Sequence, residues 1–326
     1  MGRPIATALA SRKAQGFTMV EALVAMFLGV LLLFGVTQVF DGSREGARLQ
    51  NAMASVQDGG RIATEFISRD VRSADFSGCL RDHTGLSNAL TGGNYDASYH
   101  PYFNLANGAV YGYTATGTQA IGGKTVLSGT DTLRIVGSRP ICDGVMNLGV
   151  ELSTESDALT LAEACPTAIP NGTVLMVTNC FNGDIFIKTN GSGTNIEHTA
   201  DTISGLGNST ANLSSLYGKD ASILEPFVYT YFLADGSNGN PALYRREDGT
   251  NYELIPDVID FQVRFGVLLD NKQQFLEPAS VADPAAIMAV RTSVTVRSTE
   301  LVDGKPITRT YTSTSNIRNR TVESEL

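Results

Sequence analysis

The sequence predicts an α+β protein in which one long N-terminal helix precedes a large β-rich domain. An apolar run from Phe17 to Phe40 continues into apolar residues at helical spacing as far as Ala74. Beyond residue 77, β-branched and aromatic runs alternate with turn residues, which is typical of antiparallel strands. With 326 residues, the chain is long enough for one large or two medium domains.

The apolar run is long enough to span a membrane. Residues 17–40 give 24 positions, which cover a hydrocarbon core of roughly 30 Å at about 1.5 Å per residue. Three basic residues, Arg3, Arg12 and Lys13, precede the run and predict a cytoplasmic N-terminus with the rest of the chain outside. A secretory signal is cut after its apolar region, whereas the small-residue junction here, Gly16, precedes it. A cut at Gly16 would therefore keep the helix in the mature protein.

A single carboxylate, Glu21, lies inside this apolar run. A charge within a membrane span costs a few kcal/mol, about 3 on insertion scales, unless it reaches a partner or the interface. One interpretation is that Glu21 reaches the lipid headgroups. The other is that an ammonium created at Phe17 by cleavage, on the same or a neighbouring subunit, neutralises it and fixes axial register.

Beyond the predicted span, apolar residues at steps of three or four predict that the helix continues to about Ser73. These residues are Leu49, Met53, Val56, Ile62, Phe66, Ile67, Val71 and Ala74. Glycines interrupt the helix, at a cost of about 1 kcal/mol each against alanine. They are Gly29, Gly35, Gly42, Gly46, Gly59 and Gly60. They indicate close packing or local melting in an assembly, or they are incidental in a chain with 33 glycines.

Nine segments have the composition of strands, and turn residues separate them. They are 109–114, 132–137, 173–178, 184–189, 227–233, 242–246, 258–268, 287–298 and 307–314. Residues 200–218 are dominated by Ser, Asn, Thr and Gly, which predicts an exposed loop or insertion. We found no internal repeat.

The four cysteines, Cys79, Cys142, Cys165 and Cys180, all fall on the predicted exported side. An even count in an oxidising compartment favours disulfides, for which three pairings exist. We expect Cys165 to pair with Cys180, because they bracket a plausible hairpin arm, and Cys79 with Cys142. Zinc binding is the competing interpretation, but there is no Cys-x-x-Cys spacing and the histidines (His83, His100 and His198) are far apart in sequence.

The string Gly16-Phe17-Thr18-Met19-Val20-Glu21, between a basic leader and an apolar helix, resembles the N-terminal signal of type IV prepilins and type II secretion pseudopilins. The resemblance implies that a prepilin peptidase removes residues 1–16 by cutting after Gly16 and N-methylates Phe17. It also implies that Glu21 guides assembly. The remaining chain would divide into a helix at 17–76, with its membrane span at about 17–40, and a β-rich domain at 77–326.

Two further segments make the chain similar to PilW-type minor pilins and the related J-type pseudopilins. The first is Arg69-Asp70-Val71-Arg72-Ser73-Ala74-Asp75-Phe76-Ser77-Gly78-Cys79, which closes the helix, and the second is Ile317-Arg318-Asn319-Arg320. The chain departs from the family pattern at Asp75, where glycine is usual. The resemblance implies a pilin-like fold, with the second half of the helix packed on an antiparallel sheet.

We identify no catalytic constellation in the sequence and predict no enzyme activity, cofactor or metal site. There is no Gly-x-Ser-x-Gly, His-Glu-x-x-His or phosphate-binding loop, and the acidic pairs Asp257/Asp260 and Glu247/Asp248 are expected to be solvated. The formal net charge of -9 makes nucleic acid an improbable primary partner. An aromatic cluster predicts either a packed loop or a binding surface. It comprises Tyr95, Tyr99, Tyr102, Phe103, Tyr111 and Tyr113.

The resemblance therefore leads to the expectation of a minor pilin that takes part in type IV pilus assembly, in a priming or tip complex. The implied partners are prepilin peptidase, other minor pilins, the major pilin and the inner-membrane platform. The precursor would cross the inner membrane once, with its C-terminal domain in the periplasm, and would later reach the pilus at the cell surface. The alternatives are a type II secretion pseudopilin and a pilus-tip adhesin or ligand-binding subunit.

Overall fold

The computed structural model describes residues 16–80, 85–92, 108–142, 144, 146–270 and 272–320. These residues form one long helix, α1 (Met19–Ser73), twenty strands and three short 3-10 helices at Pro278–Ser280, Pro284–Ala286 and Arg318–Arg320. The α+β class, with a long apolar helix before antiparallel sheets, is confirmed. The predicted leader up to residue 15 lies outside the described residues, as do His83, His100 and four members of the aromatic cluster. These four are Tyr95, Tyr99, Tyr102 and Phe103.

The strands fall at or near every segment that the sequence predicted, and further short strands lie between them. In chain order they are β1 (Leu86–Asn88), β2 (Leu90–Thr91), β3 (Val110–Tyr111), β4 (Ala120–Ile121), β5 (Lys124–Thr125), β6 (Leu133–Pro140), β7 (Met146–Asn147), β8 (Leu159–Thr160), β9 (Val174–Thr178), β10 (Gly183–Ile187), β11 (Asn195–Ile196), β12 (Thr202–Ile203), β13 (Leu206–Asn208), β14 (Ser222–Asp235), β15 (Pro241–Glu247), β16 (Thr250–Pro256), β17 (Val258–Leu269), β18 (Lys272–Leu276), β19 (Ile287–Val302) and β20 (Lys305–Asn316).

The central sheet is organised around β14, which carries the aromatic and β-branched run from Phe227 to Leu233. Along one edge β14 pairs antiparallel with β7 and β6, and along the other with β9 and β15. The sheet continues from β15 to β16 and from β9 to β10, and among the strand pairs of the described residues only β1–β10 is parallel. Because side chains alternate along a strand, β14 presents one face to α1 and the other away from it.

A second sheet of the described residues has four antiparallel strands in the order β18-β17-β19-β20. The second half of α1 packs against β19 and β20, and the main core joins the helix to both sheets. Ile67 and Val71 of α1 are buried there with Phe261 of β17, Val294 of β19 and Tyr231 of β14. Each of these side chains is 1% exposed or less, so the junction is packed as a protein interior.

The buried face of α1 consists mainly of small residues. Ala52, Val56, Gly60, Ala63 and Ile67 follow at steps of three and four and are all buried. Of the apolar residues whose spacing predicted the helix, Val56, Ile67 and Val71 are buried, whereas Leu49, Met53 and Ile62 are 36%, 46% and 38% exposed. The sheets approach the helix closely, so alanine and glycine fit where larger side chains would not.

Residues 200–218 were expected to be an exposed loop, and this is only partly correct. The segment contains β12 and β13, which pair with each other, and it buries Leu213 and Tyr217. The Tyr217 hydroxyl donates to the Asp184 carboxylate at 2.7 Å, and the Asn208 amide group bonds the backbone of Ile187. Polar side chains that suggested solvent exposure thus satisfy buried backbone groups.

Candidate functional site

Helix α1 begins with a reciprocal cap between Thr18 and Glu21. The Glu21 amide donates to Thr18 Oγ1 at 3.3 Å, and the Glu21 carboxylate accepts from the Thr18 amide at 3.1 Å. Such a cap satisfies amides that have no partner within the helix. Gly16 and Phe17 precede the cap and are exposed. Among the described residues no cation pairs with Glu21, and its pairing with an ammonium at Phe17 stays a prediction.

From Phe17 to Phe40 the helix presents apolar side chains that the rest of the described chain does not cover. Within the described residues, α1 is the one helix long and apolar enough to cross a membrane by length and composition, and its most apolar window is not buried at all. Phe17, Met26 and Leu32 are 83%, 73% and 71% exposed. An uncovered apolar surface of this size marks contact with lipid or with other proteins.

The glycines of α1 divide into two groups. A Cβ added at Gly29, Gly35, Gly42 or Gly46 would have no neighbour within 4 Å. At Gly60, in contrast, an added Cβ would collide with the ring of Tyr311 on β20. Close packing therefore explains Gly60 within this chain. The structure does not supply a contact for the four open glycines.

The end of α1 is held by the C-terminal segment of the domain. Asn319 Nδ2 donates to the Ala74 carbonyl at 2.9 Å, and Arg320 forms an ion pair with the Asp75 carboxylate. We call these four residues the C-terminal clasp. It joins the two weaker family-like segments of the sequence, 69–79 and 317–320, which are separated by more than two hundred residues along the chain.

Asp75, which stands where the family usually has glycine, adopts a left-handed backbone with φ of 63°. Glycine reaches this region at no steric cost, whereas other residues require compensation. The compensation is visible here, because the Asp75 amide donates to Val136 O at 2.9 Å and its buried carboxylate binds Arg320. The departure from the family pattern therefore keeps the turn and adds an ionic contact to it.

Beneath the last turns of α1 lies a buried charge network centred on Asp70. Its carboxylate accepts from the Tyr231 hydroxyl at 2.5 Å and from Arg245 at 3.3 Å, and its side chain is 8% exposed. Arg245 also binds Glu247 at 2.6 Å, and Glu247 binds Arg139 at 3.0 Å. Burial raises the pKa of the Asp70 carboxyl, and the contacts with Tyr231 and Arg245 oppose that rise. The network joins α1 to β14, β15 and β6.

The acidic pairs that the sequence analysis expected to be solvated are partly buried instead. Asp257 is 4% exposed and pairs with Arg297 at 3.0 Å, and Glu247 belongs to the network above. Asp260 is half-buried and Asp248 is exposed. The arginine partners lie on other strands and were not visible in the local sequence. These ion pairs give the buried carboxylates a structural role.

The cysteines form two disulfides, but the expected pairing was wrong. Cys79 pairs with Cys180, with Cα atoms 4.6 Å apart, and Cys142 pairs with Cys165, at 5.4 Å. The β9–β10 hairpin places Cys180 at its turn, beside the segment that leaves α1, so Cys79 is its neighbour. The first disulfide fixes the end of the helix to the central sheet.

The described residues contain no group of three or more His, Cys, Asp or Glu side chains that could hold a metal ion. His198 is buried, lies 5.3 Å from the Phe186 ring and bonds Asp157 O at 2.9 Å. Of the aromatic cluster, Tyr111 and Tyr113 are described, and both line a cavity on the face of the central sheet that points away from α1.

Comparison with protein-family models gives two matches. The model described as type IV pilus-assembly protein W matches residues 230–324, from the middle of β14 through the second sheet to the clasp residues Asn319 and Arg320. The model described as the prokaryotic N-terminal methylation motif matches residues 11–37. Together the two matches support a type IV pilin-like minor pilin. No curated protein and no solved structure matches it.

The two matched segments correspond to two contrasting parts of the chain. The methylation motif covers the N-terminal cap and the uncovered apolar helix, which together indicate a membrane-anchored precursor. The second match covers strands on which the packed half of α1 rests. The pilin family points to a structural, non-enzymatic protein that interacts with other pilus components and whose N-terminus a prepilin peptidase processes.

Proposed function

We propose that this minor pilin takes part in pilus assembly as a priming or tip subunit. In this proposal prepilin peptidase cuts after Gly16 and N-methylates Phe17. The precursor spans the inner membrane once, with the β domain in the periplasm, and then passes to the pilus. Its contacts there are with other minor pilins, the major pilin and the inner-membrane platform.

The observation that carries the proposal is that one continuous helix is uncovered in its first half and packed in its second. Apolar side chains exposed to water cost about 25 cal/mol per Å². Lipid covers the first half in the precursor, and neighbouring helices cover it in a filament. Transfer from lipid to neighbouring helices keeps the apolar surface out of water at every stage. Meanwhile the second half stays fixed to the domain by the clasp, the Asp70 network and the Cys79–Cys180 disulfide.

Four open glycines support the filament step. Small residues let helices approach closely when no hydrophobic driving force from water is present. A Cβ added at Gly29, Gly35, Gly42 or Gly46 would meet no atom within 4 Å beyond the local helix backbone, so space beside these glycines is available for neighbouring helices. The domain that follows is large, at about 250 residues from 77 onward, and would crowd a repeating lattice. We therefore favour low-copy use at the tip over use as the bulk subunit.

Substitution of Glu21 tests the assembly step. In Glu21→Ala we expect normal cleavage and membrane insertion but at least about tenfold fewer pili. Removing one partner of a desolvated charge pair costs about 3–5 kcal/mol, because the other charge is left unpaired. Processing is followed by mass spectrometry and piliation by electron microscopy. Asp58→Ala is the matched control, since Asp58 is an exposed carboxylate of the same helix, paired with Arg61 at 3.7 Å.

The outcomes of this experiment separate the candidate functions. Loss of pili in Glu21→Ala, with normal pili in Asp58→Ala, supports assembly. An unchanged pilus count in Glu21→Ala contradicts it. Normal pili combined with loss of protein secretion would favour the type II secretion pseudopilin instead.

A further inference from the structure

A row of polar side chains crosses the central sheet on the face that points away from α1. The pairing register places Tyr111 opposite Arg134, Arg134 opposite Thr230, Thr230 opposite Arg246, and Arg246 opposite Asn251. Directly opposed residues in antiparallel strands share one face. We call this set the arginine row. It occupies the face opposite to Tyr231, the next residue on β14, which contacts Asp70 of the helix.

The arginine row forms the floor of a cavity of about 340 Å³. The walls include Tyr113 and Thr132, and the β4–β5 hairpin covers one side through Ala120, Ile121 and Gly122. Asn251 holds this hairpin in place, because its Nδ2 donates to Ile121 O at 3.0 Å and to Gly122 O at 3.1 Å. The volume is at the lower end of the range of small-ligand sites, about 300–1,000 Å³.

The cavity is cationic in a chain that is acidic overall. Arg134 and Arg246 lie two strands apart, a spacing of about 10 Å, with Thr230 between them. No carboxylate is among the described residues that line the cavity, although the whole chain has a formal net charge of -9. Arg246 Nη1 donates to Asn251 Oδ1 at 3.1 Å, which holds this guanidinium beside the cavity, and an anion placed between the two arginines would be attracted to both.

Arg134 also has a donor without a partner. Its Nε is buried and makes no hydrogen bond with any described residue, and the guanidinium lies 5.5 Å from the centre of the Tyr111 ring. A buried donor left without a partner costs about 1–3 kcal/mol. A guanidinium matches the two oxygens of a carboxylate in geometry, and Arg134 lines the cavity with this group.

The remaining groups suit a hydroxylated ring rather than a bare ion. Two phenols and two threonine hydroxyls, from Tyr111, Tyr113, Thr132 and Thr230, surround the arginines. Each hydroxyl can both donate and accept, which fits the hydroxyls of a sugar. Burial raises the pKa of both tyrosines, and the positive charge of Arg134 opposes the rise. The phenols therefore remain protonated donors at neutral pH.

We propose that this cavity binds a carboxylated sugar unit, with the carboxylate between Arg134 and Arg246 and the ring hydroxyls at the tyrosine and threonine side chains. This activity goes beyond assembly, since the cavity and the helix lie on opposite faces of the central sheet. Packing of α1 into a filament would leave the cavity free. A subunit at a pilus tip could therefore present it to an acidic polysaccharide.

Calorimetric titration of the full chain in detergent micelles tests the proposal, with glucuronate, glucose and inorganic phosphate as separate probes. We expect glucuronate to bind, and glucose and phosphate to bind at least about tenfold more weakly, since each lacks one half of the recognised chemistry. Arg134→Gln should weaken glucuronate binding at least about tenfold. Arg264→Gln, an exposed arginine of β17 paired with Glu277, should stay within about twofold.

A second variant covers the case in which Arg134→Gln does not fold. Tyr113 is 39% exposed, so Tyr113→Ala is expected to fold and to weaken glucuronate binding about fivefold. The absence of glucuronate binding to the unmodified chain would overturn the proposal. Equal binding of glucose would overturn the role of the arginines, and equal binding of phosphate would overturn the role of the sugar ring.

Discussion

The two halves of α1 have the same secondary structure and both carry glycines, yet one half is exposed and the other is packed against the domain. From Phe17 to Phe40 the apolar side chains are exposed, and the glycines there have open space beside them. From Ala52 to Val71 small side chains are buried against two sheets. The comparison teaches that apolar composition alone does not say where a helix is buried. The more apolar half is the one that the rest of the described chain leaves uncovered.

The largest expected effect comes from blocking removal of the leader that precedes the first half of α1. Gly16→Ala should leave the protein at its precursor mass, because the resemblance to prepilins places the cut after Gly16. Intact-mass measurement on the membrane fraction checks this, with Gly42→Ala as the control for a glycine change elsewhere in the same exposed half. Normal processing of Gly16→Ala would refute the cleavage-site assignment.

The next largest effect is expected in the packed half of α1. Asp70→Ala removes the buried acceptor of the Tyr231 hydroxyl and leaves Arg245 with Glu247 as its remaining carboxylate, and it should lower the free energy of unfolding by about 3 kcal/mol. Denaturant unfolding of the full chain in micelles measures the change. Asp58→Ala, at an exposed ion pair of the same helix, should cost less than about 0.5 kcal/mol. Similar losses in both variants would mean that the Asp70 network does not fix the helix.

The smallest changes in stability are expected at two glycines of α1 that have opposite surroundings. Gly60→Ala puts a methyl group against the Tyr311 ring and should destabilise the fold by about 1–3 kcal/mol. Gly42→Ala has open space around it and should favour the helix by up to about 1 kcal/mol. The same unfolding experiment compares the two. If the pair shifted in the same direction, the division of α1 into an open and a packed half would be incorrect.

Much of the fold was predictable because it depends on local patterns. The apolar run and the helical spacing predicted α1, and alternating β-branched and aromatic runs predicted the longer strands. The cap at Thr18 and Glu21 is also local, since its groups are three residues apart. The buried face of the helix was not predictable from hydrophobicity, because close approach of the sheets selects Ala52, Gly60 and Ala63 over larger neighbours.

The candidate site was predictable only in part. The segment from Gly16 to Glu21 stands out in the sequence, whereas the clasp joins residues 245 positions apart. A signal for the clasp existed at Asp75, where an aspartate replaces the usual glycine and therefore needs a compensating partner. The partner, Arg320, could not be deduced, because pairing between distant segments depends on how the sheets are assembled.

The sequence by itself determined that a basic segment and an apolar helix precede a β-rich domain, and it predicted a cleavage site between the first two, since each follows from neighbouring residues. Only the tertiary structure decided which cysteines pair, which carboxylates are buried, and that Arg134 and Arg246 share one face of the central sheet. These features depend on strand order and register. Strand order and register arise from burial of apolar faces across the whole domain, which no local segment specifies.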